Sequence, residues 1–139
     1  MSHSRQSDDP GRVLRVALTT NAVSTAACGA LLLVGAPAFH EALGLPGPVP
    51  LVVVGALFVA FATEVWRARR EPLNPRRGLA IFVLDVAYVV ASVAFLLGWP
   101  RVLSPLGWWL TLGLAEVVTV FAIAEYVGLR RLSRTPEAA

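Results

Sequence analysis

Hydrophobic residues occur along this chain in four long runs, and polar residues are concentrated in the short segments between the runs. The runs cover residues 13–35, 51–66, 78–99 and 106–129. A helix that crosses a bilayer needs roughly 20 largely apolar residues, and its backbone must satisfy its own polar groups because hydrocarbon offers no water. The pattern therefore predicts an all-α integral membrane protein, a bundle of four transmembrane helices forming one domain over residues 13–129.

Proline and glycine mark the connections between the runs. Residues 39–43, which follow the first run, are predicted to form one turn of interfacial helix that stops at Gly44. Pro105 suits the first turn of the fourth helix, where a missing N–H needs no partner. The two ends, 1–12 and 130–139, are polar and are predicted to be cytoplasmic tails, the first of them disordered.

The basic residues indicate an orientation. All twelve are arginines, and eleven of them lie in or beside the N-terminal tail, the link between the second and third runs, and the C-terminal tail. Arg101 alone lies on the other side. Basic residues beside spans stay cytoplasmic, so both termini are predicted to face the cytoplasm. The lack of lysine and the abundance of alanine, valine, glycine and leucine suggest a GC-rich bacterial genome, and therefore the bacterial inner membrane.

Motifs for catalysis or metal binding are absent from the sequence. There is no CxxC, no HExxH and no glycine-rich phosphate loop. Cys28 and the two histidines, His3 and His40, do not form a ligand cluster. The sequence therefore predicts no metal, no cofactor and no catalytic residue, and it favours a protein that is not an enzyme. The arginines are explained by lipid headgroups rather than by nucleic acid.

Acidic residues inside the runs need a reason, because a charged side chain in hydrocarbon costs about 2.5–3.5 kcal/mol on insertion scales. Glu64 and Glu125 lie near arginines at the ends of their runs, so they are expected to snorkel or to pair with arginine. Asp85 and Glu116 lie deeper, about 10 and 15 Å from the starts of their runs. Both are expected to face the interior of the bundle and to be neutral there.

Five polar residues reach a similar depth and predict an intramembrane cluster. They are Asn21, Ser24, Asp85, Tyr88 and Glu116. One interpretation makes the cluster functional, as a proton or solute site or as a pocket for the head group of a lipophile. The other makes it structural, as hydrogen bonds between helices that fix their packing. The sequence leaves both open.

Short motifs give a resemblance that covers most of the chain. They are Leu43-Gly44-Leu45-Pro46 after the first run, Trp66 with Arg69-Arg70, Asp85 with Tyr88, and Gly128-Leu129-Arg130-Arg131. With these motifs the chain resembles uncharacterised small four-span inner-membrane proteins of GC-rich bacteria. The resemblance implies a four-helix fold and supplies no activity, substrate or catalytic residue.

Three functional hypotheses follow. The leading one is a non-catalytic accessory or interaction subunit whose partners are the lipid bilayer and other membrane helices, in a homo-oligomer or a hetero-complex. The alternative is an oligomeric proton-coupled transporter of a small solute that uses Glu116 and Asp85. The third is a binder or enzyme for a membrane lipophile whose polar head contacts Tyr88 and Asp85.

Overall fold

The computed structural model describes residues 11–70 and 72–134, and this part of the chain folds into four α-helices without a β-strand. The helices are α1 Arg12–Ala42, α2 Val49–Ala68, α3 Pro75–Gly98 and α4 Pro105–Ser133. Each is long and apolar enough to cross a membrane. The prediction of an all-α bundle of four transmembrane helices is confirmed.

All four helices begin before their hydrophobic runs, and α1 and α4 also extend furthest beyond the ends of theirs. α1 continues through Pro37 to Ala42, so the predicted interfacial turn is the last part of α1 rather than a separate helix. The helix ends before Gly44, which has a φ of 79°, a value that favours glycine. α4 extends to Ser133, inside the predicted C-terminal tail. The rest of that tail, 135–139, and residues 1–10 of the predicted disordered tail lie outside the described residues.

The starts of α3 and α4 follow the same local rule. Each has a proline in its first turn and a polar residue at the N-cap, where a side-chain oxygen satisfies an N–H that the helix leaves unpaired. Asn74 Oδ1 accepts from the N–H of Arg76 at 2.9 Å, and Ser104 Oγ accepts from the N–H of Gly107 at 3.1 Å. The role expected for Pro105 is thus observed.

The helices alternate in direction, so both described ends of the chain lie at the same end of the bundle. There, Leu14 of α1 packs against Gly128 of α4 and lies close to Gly78 of α3. At the opposite end, Ser104 donates to the carbonyls of Ala42 and Leu43 through its hydroxyl and its N–H. We call these the basic end and the far end, because ten of the described arginines lie toward the first. They are Arg12, Arg15, Arg67, Arg69, Arg70, Arg76, Arg77, Arg130, Arg131 and Arg134, whereas Arg101 lies at the far end.

α1 and α4 are the two inner helices of the bundle. α1 packs along α2 and against α4, α3 packs against α4, and α2 barely touches α3. The contact of α1 with α2 is backbone to backbone, since a Cβ on Gly29 would lie 2.8 Å from the carbonyl oxygen of Gly55. The contact of α1 with α4 is equally close at Gly128, where a Cβ would lie 2.7 Å from the Cα of Leu14. Small residues at these points allow helices to approach closely in a membrane.

We expect Gly128→Ala to lower the free energy of unfolding by about 1–3 kcal/mol, because the added methyl group overpacks a contact with backbone that has no flexible neighbour to move. The measurement is denaturant-induced unfolding of the purified protein in mild detergent. Gly98→Ala is the matched control, since a Cβ there meets nothing within 4 Å. Equal stability of the two variants would contradict the described packing of α1 on α4.

Candidate functional site: a buried amide and two carboxyl groups beside an apolar cavity

The polar centre of the bundle is the side-chain amide of Asn21 on α1. Its nitrogen donates to Asp85 Oδ2 on α3 at 2.7 Å and to Glu125 Oε1 on α4 at 2.9 Å. All three side chains are buried, with exposed fractions of 1%, 4% and 0%. One amide therefore links three helices within hydrocarbon depth. We call Asn21, Asp85 and Glu125 the amide–carboxyl cluster.

The hydrogen-bonding capacity of Asn21 is largely used. An asparagine amide has two N–H donors and one carbonyl oxygen, and both donors are engaged by the two carboxyl groups. The carbonyl oxygen accepts from Thr25 Oγ1, one turn further along α1, at 2.9 Å. These contacts fix the direction in which the amide plane faces α3 and α4.

The two carboxyl groups lie beside each other, because they share the side-chain nitrogen of Asn21 as donor. Within residues 11–70 and 72–134, no arginine forms an ion pair with either of them. If both were ionised they could only accept hydrogen bonds, and Glu125 Oε2 is buried without a donor in the described structure. A proton on one carboxyl group supplies that missing donor and lets the two groups bond to each other.

The cluster lies in the half of the bundle nearer the basic end. Asp85 is about 15 Å along α3 from its first residue, Pro75, at 1.5 Å per residue. Glu125 lies about 7.5 Å before Arg130 along α4. The chain thus keeps its acids below the level of the headgroups, where they must find partners inside the protein.

An apolar cavity of about 390 Å³ adjoins the cluster, and all four helices contribute to its wall. Asp85 is the residue common to the cluster and the cavity. The other polar lining groups are hydroxyls and a thiol, and the lining contains no arginine, lysine or histidine. The lining residues are Ser24, Thr25, Cys28, Val54, Leu57, Phe58, Phe61, Leu84, Asp85, Tyr88, Leu114, Val117, Val118 and Phe121.

The side of the cavity between α2 and α3 is the loosely packed side of the bundle, since these two helices barely meet. Phe58 of α2 and Tyr88 of α3 make an edge-to-face ring contact there, with ring centroids 5.7 Å apart. This pair spans the gap between the two helices. Two aromatic side chains, rather than packed backbone, therefore separate this side of the cavity from the surroundings of the bundle.

The structure brings together four of the five residues predicted to form the intramembrane cluster. Asn21 and Asp85 are hydrogen-bonded to each other, and Ser24 and Tyr88 line the adjoining cavity with Asp85. Glu116 is not among them. It is exposed on the outer surface of α4, and the acid from α4 that completes the cluster is Glu125.

The helical period explains this exchange of acids. Glu116 and Glu125 are nine residues apart, and at about 100° per residue they point to opposite sides of α4. Glu125 shares its side with Ala122 and Gly128, which are small and buried. That small-residue face was the signal in the sequence that could have identified Glu125, since depth alone favoured Glu116.

Two expectations about the remaining acids have opposite outcomes. Glu64 pairs with Arg67 on the exposed surface of α2, as expected. The same expectation for Glu125 is wrong, because the side chain is fully buried and accepts from Asn21 instead of reaching an arginine. Glu125 does not pair with Arg130, although the two are close in sequence, because they face different sides of α4.

Asn21→Leu is expected to lower the free energy of unfolding by about 1–3 kcal/mol, because it leaves two buried carboxyl groups without their shared donor. A double-mutant cycle of Asn21→Leu with Glu125→Leu should give a coupling energy of about 0.5–3 kcal/mol. The measurement is unfolding in detergent. The matched cycle uses Glu116→Leu on the same helix, and there the two effects should add within about 0.5 kcal/mol. Equal coupling energies in both cycles would contradict the described rotation of α4, in which Glu125 faces Asn21 and Glu116 faces outward.

No protein-family model, curated protein or solved structure matches this chain. The resemblance to small four-span inner-membrane proteins of GC-rich bacteria therefore stays a prediction. The site is interpreted from the chemistry of its own residues.

Proposed function

We propose that this chain is a non-catalytic membrane protein that binds a lipophilic molecule with a hydrogen-bond-donating head group, an amine or a hydroxyl, in the cavity. The observation that carries the proposal is the position of Asp85. Its carboxyl group is held by Asn21 in the cluster, and Asp85 is also a lining residue of the largely apolar cavity.

The volume and chemistry of the cavity support this ligand class. About 390 Å³ falls within the range of roughly 300–1,000 Å³ found for small-molecule sites, which combine apolar walls with a few placed polar groups. The only ionisable acid in the wall is Asp85, and none of the described lining residues is basic. The carboxyl group of Asp85 can therefore accept a hydrogen bond from a donor head group. An anionic head group would instead be placed beside this acid in a medium of low dielectric, which is unfavourable.

The loose contact between α2 and α3 supports entry from the bilayer. A lipophile is concentrated in the membrane, so a lateral route between helices spares it a passage through water. Rotation of the Phe58 and Tyr88 rings changes side-chain torsions and leaves the close backbone contact of α1 with α2 unchanged. Tyr88, which also lines the cavity, brings a second residue with a polar group to its wall.

Catalysis has less support than binding. Ser24, Thr25 and Cys28 bring hydroxyl and thiol groups to the cavity wall, and no histidine stands beside them there as a general base. The role of accessory or interaction subunit, expected from the sequence, stays a hypothesis, and it is also non-catalytic. A lipophile in this cavity is compatible with that role, as cargo or as a structural component.

A proton-coupled oligomeric transporter is the second candidate. The observation that favours it is the pair of buried carboxyl groups, Asp85 and Glu125, that share one donor beside a cavity. Movement of one proton into or out of such a pair changes the charge that a ligand meets at Asp85. The residues of this hypothesis are thus Asp85 and Glu125, with Glu116 placed elsewhere.

The membrane and the orientation are also proposals. The concentration of arginines at the basic end supports a cytoplasmic location for that end and both termini. The lysine-free, alanine- and valine-rich composition supports the bacterial inner membrane as the location.

For ligand binding, we expect the purified protein in nanodiscs to bind a long-chain primary amine and the matching alcohol more tightly than the matching carboxylic acid. Native mass spectrometry and competition titration measure the three affinities. Asp85→Asn should weaken amine binding by about tenfold or more, because a hydrogen bond to a charged group is worth about 1.5–3 kcal/mol. Glu64→Gln, on the exposed surface of α2, should leave all three affinities unchanged.

Cys28→Trp provides an independent check, since it fills the cavity and should weaken binding of all three compounds. Ala27→Trp is its matched control, because Ala27 is exposed and does not line the cavity. Equal binding by these two variants, or tightest binding of the carboxylic acid, would contradict the proposal. Proton-driven accumulation of the amine in proteoliposomes, lost in Glu125→Gln, would instead favour the transporter.

For orientation, cysteine labelling in intact cells is the measurement. In a Cys28→Ala background, Pro46→Cys in the loop between α1 and α2 should react with a membrane-impermeant thiol reagent. Pro72→Cys, in the link between α2 and α3, should react only after the cells are permeabilised. The reverse result would assign the basic end to the outside.

A further inference from the structure

Among the described residues, Glu116 is the one acid at mid-depth that the bundle leaves on its outer surface. It lies about 17 Å along α4 from Pro105 and about 21 Å before Arg130, which is close to the middle of a hydrocarbon core of about 30 Å. In the described part of the chain it has no hydrogen bond or ion pair. A carboxyl group at this depth requires a polar partner, and its own chain does not supply one.

The surface around Glu116 is apolar and open. Trp109 and Ile123 each lie two turns away, in opposite directions on the same face of α4, and their exposed fractions are 66% and 59%. Gly113 lies one turn toward the far end, and a Cβ there would meet nothing within 4 Å. The face therefore combines large apolar side chains, one carboxyl group, and a notch where another helix backbone could approach.

From this face we infer that α4 packs against α4 of a second copy of the chain, with the two Glu116 carboxyl groups hydrogen-bonded to each other across a two-fold axis. Neutral carboxyl groups are self-complementary, because each O–H donates to the carbonyl oxygen of the other. A second copy inserted in the same orientation brings its own Glu116 to the same depth. A different membrane protein would need a matching polar group at that depth by coincidence.

The notch at Gly113 makes the approach close enough for this bond. Small residues at helix crossings in membranes allow backbones to come together, and polar side chains at such crossings hydrogen-bond across the interface. Leucine at this position would hold the helices apart, and its Cβ would meet nothing of its own copy within 4 Å. The self-association face is thus separable by mutation from the cavity on the other side of α4.

Dimerisation in native membranes is the test, by disulfide cross-linking in a Cys28→Ala background. Ile123→Cys lies on the proposed face, and Val83→Cys on α3 is the control because its exposed fraction of 54% is comparable to the 59% of Ile123. We expect cross-linked dimers for Ile123→Cys and none for Val83→Cys. Adding Glu116→Leu should weaken the association measured by energy transfer in vesicles by about tenfold.

Two further variants separate the hydrogen bond from simple packing. Glu116→Gln should retain the dimer, because two amide groups can also pair by reciprocal hydrogen bonds. Gly113→Leu should abolish it while leaving the unfolding of the monomer unchanged, and Ala87→Leu, on the exposed surface of α3, should do neither. The inference is overturned by a monomer in vesicles, by a dimer indifferent to Glu116→Leu, by loss of the dimer in Glu116→Gln, or by equal cross-linking through Val83→Cys.

Discussion

The arrangement of this bundle depends on the two N–H groups of one asparagine. Hydrocarbon has no water with which a polar group can bond, so each carboxyl group that the sequence inserts below the headgroups needs a donor from the protein. Asn21 is that donor for both Asp85 and Glu125. Because the bonds run from α1 to α3 and from α1 to α4, they fix the rotation of all three helices about their axes. Contacts between apolar side chains and lipid fix this rotation less strongly, because they have no preferred direction.

The close glycine contacts and the polar cluster act on different neighbours of α1. Gly29 and Gly55 bring α1 and α2 into backbone contact, whereas Asn21 reaches away from α2 toward the acids. α2 is therefore held by packing with α1 and remains apart from α3. The cavity exists because these two forms of attachment leave one pair of neighbouring helices unjoined, and the Phe58–Tyr88 ring contact occupies that gap.

Hydropathy was sufficient to predict the four helices, because membrane spans are defined by length and apolar composition, and the alternation of arginine-rich segments agrees with their antiparallel order. Hydropathy did not predict the direction in which side chains point from each helix, or how far each helix continues beyond its hydrophobic run. Depth along α4 favoured Glu116 as the cluster residue, but depth contains no information on direction, and the nine residues to Glu125 amount to half a turn more than a whole number of turns. The first hydrophobic run ends at residue 35, yet α1 continues through Pro37 to Ala42. A cavity depends on where helices fail to meet, and a single sequence holds little information on that.

The division of donor and acceptors between the two halves of the chain has a consequence for biosynthesis. Domains and helices emerge from the ribosome in order, so α1 and α2 reach the bilayer as a hairpin carrying a neutral amide, joined by its own glycine contact. The acids arrive later, on α3 and α4, when their donor is already in place. The N-terminal hairpin can thus wait in the membrane at small energetic cost, whereas the C-terminal pair of helices carries two acids that only the earlier half can satisfy.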